Sequence, residues 1–215
     1  MKLNKYIDHT LLKPDAQEKD ILRLCEEAKK YDFMSVCVHP YNITIAKKAL
    51  KGSDVKVCTV IGFPLGANTS AEKALQTKTA LELGADEFDM VINIGALKDG
   101  KTEFVKKDIE GVITEAKGKT VKVIIETYYL SNEEKILATK LTCEAGADFV
   151  KTCTGFNPGV ATVEDIVLMK HNCTGKTKVK ASGGIRSYDA AIEMIKAGAE
   201  RIGTSSGVAI VEGGE

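Results

Sequence analysis

Three segments of this chain repeat one local plan, and the repeat constrains the fold more tightly than composition does. Glu82-Leu-Gly-Ala-Asp-Glu-Phe-Asp-Met-Val, Glu144-Ala-Gly-Ala-Asp-Phe-Val-Lys-Thr-Cys and Lys196-Ala-Gly-Ala-Glu-Arg-Ile-Gly-Thr-Ser each read as a helix end, a glycine cap, a small and an acidic loop residue, and the start of a strand. Their glycines, Gly84, Gly146 and Gly198, stand about two strand–helix units apart at roughly 25 to 30 residues per unit. Extending that period predicts strands near Tyr6–Thr10, Ser35–His39, Val55–Ile61, Glu87–Asn93, Val121–Glu126, Phe149–Thr152, Val179–Ser182 and Arg201–Thr204. A helical pattern follows each, and Asp15-x-x-Glu18, Thr69-x-x-Glu72, Ser131-x-x-Glu134 and Thr162-x-x-Asp165 supply capping signals just beyond strand ends. Eight such units joined by right-handed crossovers predict a (β/α)8 TIM barrel, a single domain over residues 1–215. An open doubly wound sheet is the alternative, disfavoured because no Gly-x-Gly-x-x-Gly opens the first helix.

Composition agrees with one enzyme-sized core. Of 215 residues 44% are hydrophobic, and no Ser/Gly-rich or Pro-rich linker divides them. The longest run free of Lys, Arg, Asp and Glu, Val57 to Ala71, is interrupted by Gly62, Pro64 and Gly66, so no membrane span is expected. Thirty basic and thirty acidic residues cancel, which gives no sign of nucleic acid, an anionic membrane or a polyanionic substrate as partner. Six cysteines without a C-x-x-C and three scattered histidines predict reduced thiols and no metal site. The amino terminus has no apolar signal core, so a cytoplasmic location is expected.

The chemistry is concentrated in charges that fall on strands. Alternate side chains of a barrel strand point into the barrel and out toward the helices. On the fourth strand Phe88, Met90 and Ile92 form an apolar outward set, leaving Glu87, Asp89 and Val91 inward. The same test turns Phe149, Lys151 and Cys153 inward on the sixth strand, and Lys180 and Ser182 inward on the seventh. Burial of an ammonium, and a second cation beside it, both disfavour its charge, and a neutral amine can add to a carbonyl to form an imine that stabilises a neighbouring carbanion. Asp89 could then move protons. A lone strand lysine is more often an ion-pair partner or a snorkelling surface group, but one salt bridge to Asp89 would explain only half of this pattern. Asp8 and Thr10 on the first strand share the inward phase and could extend the proton network, although Asp8 could equally cap a turn. Glu126 closes the fifth strand facing inward, either for acid–base work or for pairing with a lysine. Cys37 is expected to be an inert buried thiol, and His9 and His39 structural groups.

Glycine turns follow the seventh and eighth strands: Gly183-Gly184-Ile-Arg186-Ser187, with Ser187 placed to cap a helix, and Gly203-Thr-Ser205-Ser206-Gly207, opening a short one. In (β/α)8 enzymes these loops frequently bind phosphate through backbone N–H groups and a helix N-terminus, so a phosphorylated substrate is expected.

These residues resemble the deoxyribose-phosphate aldolase family of class I aldolases. The likeness runs from Asp8-His-Thr through Glu87-Phe-Asp-Met-Val-Ile-Asn-Ile-Gly, Val121-Lys-Val-Ile-Ile-Glu-Thr and Val150-Lys-Thr-Cys-Thr-Gly-Phe to Lys180-Ala-Ser-Gly-Gly-Ile-Arg and Gly203-Thr-Ser-Ser, nearly the whole chain. The resemblance implies a Schiff base on Lys151, a proton relay of Lys180 and Asp89, and a phosphate site of Gly155, Gly183, Gly184, Arg186, Gly203, Ser205 and Ser206. It implies no cofactor and no metal. The partners would be a small phosphorylated sugar and a short aldehyde, 2-deoxy-D-ribose 5-phosphate giving acetaldehyde and D-glyceraldehyde 3-phosphate in deoxyribose phosphate catabolism. A homo-oligomer stays open. So do two other functions, a different imine-forming phosphosugar aldolase and a catalytically silent phosphosugar-binding barrel. Two departures from the family stand out: Cys153 where serine is usual, which could add oxidation sensitivity, and a chain that ends at Glu215 without the carboxy-terminal tyrosine of some members. Proton supply to the enamine is then expected to rest more on water and the Lys180–Asp89 pair.

Overall fold

Alternating strands and helices close into a ring in a computed structural model that describes residues 1–214; Glu215, where the domain was expected to end, lies outside them. The order is β1 (Ile7–Leu11), α1 (Glu18–Lys30), β2 (Ser35–Val38), α2 (Ile43–Ala49), β3 (Lys56–Ile61), α3 (Ser70–Glu82), β4 (Glu87–Val91), α4 (Ile94–Lys98), α5 (Thr102–Glu115), β5 (Thr120–Ile124), α6 (Asn132–Glu144), β6 (Phe149–Lys151), α7 (Val163–Asn172), β7 (Lys178–Ser182), α8 (Tyr188–Lys196), β8 (Arg201–Thr204) and α9 (Gly207–Glu212). Every strand pairs in parallel with its sequence neighbour, and β8 returns to β1 through Asp8↔Gly203, giving the expected closed eight-stranded barrel.

Several strands end sooner than their apolar runs suggest, because polar side chains redirect the backbone. β4 stops at Val91, since Asn93 turns its side-chain Oδ1 back to accept the Ala96 N–H at 3.0 Å and starts α4. β5 stops at Ile124, two residues before Glu126 enters the left-handed region at φ 54°. Three expected caps are in place: Thr69 and Ser131 form reciprocal boxes with Glu72 and Glu134, and Thr162 accepts the Asp165 N–H. The Asp15–Glu18 signal is not used. Gln17 caps α1 with Asp20 reaching back, so the helix starts at Glu18 itself.

The strand phase expected from alternation separates two interiors. Phe88, Met90, Val150, Val179 and Ala181 pack outward with Ile109, Val112, Ile166 and Met169 of the helices, each such burial contributing about 1.5 to 3 kcal/mol. Within the ring an apolar cluster of Leu12, Cys37, Cys58 and Val60 packs against Phe63; Val91, Ile124 and Phe149 are buried apart from the outer core, and between them lies a group of buried charges. A separate buried lysine, Lys73 of α3, is paired one-to-one with Asp108 of α5 at 2.5 Å in the helical layer. That pair shows what a purely structural buried lysine looks like in this chain. Among the described residues no helix is long and apolar enough to cross a membrane.

Candidate active site

Register brings the strand charges side by side. Asp89 lies opposite Lys122, Lys151 opposite Lys180, and Lys180 opposite Arg201 on successive strands, all buried. Asp89 is their hub: its Oδ1 accepts from Lys122 Nζ at 2.9 Å and Cys58 Sγ at 3.2 Å, and its Oδ2 accepts from Lys151 Nζ and Lys180 Nζ, both at 2.8 Å. Asp8 holds the other side, accepting from Lys180 Nζ at 2.5 Å, Arg201 Nη1 at 2.7 Å and Ser35 Oγ at 2.6 Å. Asp8 therefore belongs to the ion network and caps no turn. Glu87 closes the base of the cluster against Lys122 at 2.6 Å and Arg201 at 3.2 Å.

Lys122 and Arg201 were not among the residues singled out from sequence. Lys122 could have been found by the alternation that located Asp89, since Val121 and Val123 both pack outward. Its inclusion changes the charge count. Asp8, Glu87 and Asp89 face Lys122, Lys151, Lys180 and Arg201, so the fully ionised cluster carries one positive charge in excess. Burial opposes charge on Lys180, yet Asp8 and Asp89 outweigh it and raise its pKa, so at Lys180 burial and a neighbouring cation do not give the uncharged amine expected of a buried strand lysine. Burial also opposes charge on Lys122, which Asp89, Cys58, Glu87 and Asp8 likewise raise. Burial pushes the Asp89 carboxyl up, but Lys122, Lys151 and Lys180 hold it well below the usual carboxylate range. Lys151 differs from the other two lysines in its pairing. It touches a single carboxylate oxygen, one already shared with Lys180.

Lys151 also differs in access. A cavity of about 360 Å³ opens at the strand-end face, bordered by Thr10, Leu12, Lys151, Thr154, Gly155, Phe156, Ser182, Gly183, Gly184, Arg186, Gly203 and Ser205. Lys180 and Asp89 lie beneath it, and Lys151 is the cluster member that borders it. A larger cleft, about 590 Å³, lies between Met1–Tyr6 and Tyr188. Its charged groups include the closed surface pair Lys5–Asp32, and it meets none of the barrel lysines.

The expected phosphate loops line the same cavity as Lys151. Among the described residues the N–H groups of Gly155, Gly184 and Ser205 donate to no other backbone or side-chain acceptor. Gly184 holds φ 78°, and a Cβ there would lie 2.7 Å from Val160 Cγ1. Gly203 serves the lysine as well as the loop, because a Cβ would lie 3.0 Å from Lys180 Cε. Ser206 is the exception among the expected ligands. Its N–H is spent on Thr204 Oγ1 at 2.9 Å, and it does not border the cavity. Thr10 does border it, but its hydroxyl donates to the Asp8 backbone oxygen at 3.0 Å and so does not extend the carboxylate network.

Two residues expected to face inward do other work. Among the described residues Glu126 pairs with no lysine; its Oε2 accepts from Thr154 N, Thr154 Oγ1 at 2.6 Å and Asn157 Nδ2 at 2.8 Å, fastening the loop after β6. Cys153 lies past the end of β6, buried with Sγ 3.4 Å from Thr127 Oγ1 and away from the cavity; burial pushes its thiol up to about 11. Cys37, Cys58 and Asp89 offer three ligand atoms within 4.8 Å of one another, but Lys122 Nζ, 3.3 Å from Cys58 Sγ and 2.9 Å from Asp89, already fills the cation's place. His39 Nε2 meets the Leu12 carbonyl at 2.8 Å, a structural contact as expected, and His9 is paired with Glu27 at 2.7 Å.

The network makes acid stability a measurable quantity. Asp8 and Asp89 have depressed carboxyl pKa values in the folded state, so they bind fewer protons than when unfolded. Their stabilisation is complete above the unfolded value of about 4 and is lost as pH falls toward their folded values. Thermal midpoints recorded between pH 2 and 7 are expected to hold level down to about pH 5 and then fall steeply. A flat profile to pH 2 would remove these carboxylates from the stability of the fold.

Residues 2–213 match the DeoC/LacD family aldolase profile, and the chain belongs to that family. Within it, the protein is 61% identical to the deoxyribose-phosphate aldolase of Streptococcus gordonii over 99% of this chain and 97% of that one. It is 58% identical to the deoxyribose-phosphate aldolase of Clostridium tetani over 99% of both chains. Among solved structures, the tetrameric deoxyribose phosphate aldolase of Aeropyrum pernix superposes with a TM-score of 0.88 at 36% identity, over 98% of this chain and 89% of that one.

Proposed function

We propose that the protein cleaves 2-deoxy-D-ribose 5-phosphate reversibly to acetaldehyde and D-glyceraldehyde 3-phosphate through a Schiff base on Lys151. The observation that carries the reading is positional: Lys151 is the cluster lysine that borders a cavity also lined by backbone N–H groups that are unpaired among the described residues. Those groups suit the phosphate, and the cavity of about 360 Å³ has room for a short sugar chain. The Lys151 amine adds to the aldehyde carbon, C1. Attack requires the free amine, and loss of one proton from the cluster relieves its single excess charge. Lys180, kept as an ammonium by Asp8 and Asp89, supplies the proton that lets water leave the carbinolamine. Then neutral, it takes the C3 hydroxyl proton, directly or through water, as the C2–C3 bond breaks. The electron pair passes into the imine, leaving an enamine of acetaldehyde on Lys151; protonation at C2 and hydrolysis release the product. Asp89 stays ionised throughout and acts by position and charge, so the proton traffic assigned to it from sequence passes to Lys180 and water.

Borohydride reduction in the presence of the sugar phosphate, followed by peptide mass analysis, tests the assignment. An adduct on Lys151 is expected; an adduct on Lys180, or none, overturns it. Release of acetaldehyde from the same substrate separates this reaction from that of another imine-forming aldolase and from silent binding. The phosphate wall has its own test. Gly184→Ala strains a left-handed residue against Val160 and is expected to raise KM for the phosphorylated sugar about tenfold, the worth of one hydrogen bond to a charged group. Turnover of unphosphorylated 2-deoxy-D-ribose should not change. Equal losses on both sugars would place Gly184 outside phosphate binding.

The free state of all six cysteines supports action in the cytoplasm, and the tetramer formed by the Aeropyrum pernix relative supports a homo-oligomer. Sedimentation equilibrium would decide the second point.

A further inference from the structure

Glu126 is fully buried, and every hydrogen bond its side chain makes among the described residues goes to the segment 154–157. It holds φ 54° and ψ 69°, a left-handed conformation disfavoured for any residue with a Cβ and kept only where the surroundings impose it. The backbone on either side stays in step with β6: the Ile125 N–H donates to the Lys151 carbonyl at 3.0 Å, and the Thr127 N–H to the Thr152 carbonyl at 3.1 Å. Glu126 is thus seated against the strand that carries Lys151, with its carboxyl group turned to the loop that leaves that strand.

There it settles how three successive N–H groups are used. The Thr154 hydroxyl has one proton and gives it to Glu126 Oε2 at 2.6 Å, so its oxygen is left to accept the Phe156 N–H at 3.1 Å. The Thr154 N–H goes to the same Oε2 at 3.2 Å. Both neighbours of Gly155 have therefore spent their N–H groups, while that of Gly155 has no acceptor among the described residues. Gly155 sits at φ 80° with open space where a Cβ would stand, and it borders the same cavity as Lys151. Asn157 closes the turn, donating to Oε2 at 2.8 Å, and the Tyr129 hydroxyl fixes its amide by donating to Oδ1 at 3.0 Å.

The geometry points to Glu126 as a positioning residue for the phosphate end of the substrate, one that acts through Thr154 to leave the Gly155 N–H free and held in fixed relation to Lys151. The inference rests on the phosphosugar reading above and deepens it. Glu126 reaches no reacting atom. The hydrogen bond it prepares is made to a group that does not change during C–C cleavage, so its loss falls on KM and not on kcat. A carboxyl group that only held the fold together would, on removal, injure phosphorylated and unphosphorylated substrates alike.

Steady-state kinetics of Glu126→Ala and Glu126→Gln on 2-deoxy-D-ribose 5-phosphate and on 2-deoxy-D-ribose, with calorimetric titration of each protein by inorganic phosphate, test the role. Alanine is expected to lower kcat/KM for the phosphorylated sugar about tenfold relative to the unphosphorylated one, through KM, and to weaken inorganic phosphate by the same factor. Glutamine keeps an acceptor for the three donors and puts its amide nitrogen where Oε1 has no partner among the described residues, so it should restore both readings to within about threefold of the parent. Thr154→Val breaks the same relay with Glu126 in place and must show the same split, with Thr154→Ser as its rescue; this pair decides the matter if Glu126→Ala fails to fold. An unchanged ratio between the two sugars, or parental phosphate affinity in folded Glu126→Ala and Thr154→Val, overturns the proposal. The titration does not depend on turnover: phosphate binding that needs Glu126, in a protein that leaves the sugar phosphate intact, would refute the cleavage reaction and uphold the positioning role.

Discussion

Lys151→Met is expected to lower kcat for cleavage of 2-deoxy-D-ribose 5-phosphate by about 10⁴-fold or more, the scale seen when a covalent nucleophile is removed, and to eliminate the borohydride adduct. The same substitution is expected to leave folding stability within about 1 kcal/mol of the parent protein. Both results follow from the charge count. Lys151 shares one oxygen of Asp89 with Lys180, and Asp89 keeps Lys122 and Lys180 when Lys151 is gone. Methionine fills the stem's volume and removes the excess positive charge, so no carboxylate is stranded. Steady-state kinetics on the variant, with a urea unfolding curve beside it, read the two effects separately. A variant that unfolds at much lower urea would mean that Lys151 is a structural ion-pair partner like Lys73. A folded variant retaining a tenth of the parent activity would make another group the nucleophile.

How much of this site was readable in the sequence depends on how far each side chain's direction follows from local pattern. Asp89, Lys151 and Lys180 were legible because apolar neighbours of opposite phase fix each strand's faces, as Phe88 and Met90 do around Asp89. The fold was legible for a related reason: three repeats of one helix-to-strand junction set the period for the others. Lys122 sits in an equally clear alternation and was readable in principle. Arg201 was not, because it begins a short strand directly after an acidic loop residue, where no alternation has yet been established. Direction failed where the backbone departs from strand geometry. Glu126 takes a left-handed conformation that no pattern announces for a non-glycine residue, and its carboxylate turns to the loop after β6. Cys153 lies beyond the last paired residue of β6, so the strand's phase no longer applies to it. Ser206 depends on the first turn of α9, where a shift of one residue moves a side chain to another face.

Asp89→Asn is expected to injure stability and turnover together, in contrast to Lys151→Met. The carboxylate uses both oxygens twice, taking Lys122 and Cys58 on one and Lys151 and Lys180 on the other. An asparagine offers one oxygen, and its amide nitrogen would point donors at ammonium groups that are donors themselves. The cluster's excess charge would rise from one to two inside a buried site, where removing one partner from an ion network costs about 3 to 5 kcal/mol. Lys180 would lose one of the two carboxylates that raise its pKa, leaving Asp8 as its remaining support. As an acid it would then release its proton at lower pH, so the alkaline limb of the kcat profile should move to lower pH while kcat at the optimum falls by about 10²- to 10⁴-fold. The borohydride adduct on Lys151 should still form, more slowly. Urea unfolding, the pH profile and adduct mass analysis on this one variant test the three consequences. Loss of stability with kinetics intact would confine Asp89 to holding the barrel interior together, and an unshifted alkaline limb would take Lys180 out of the proton path.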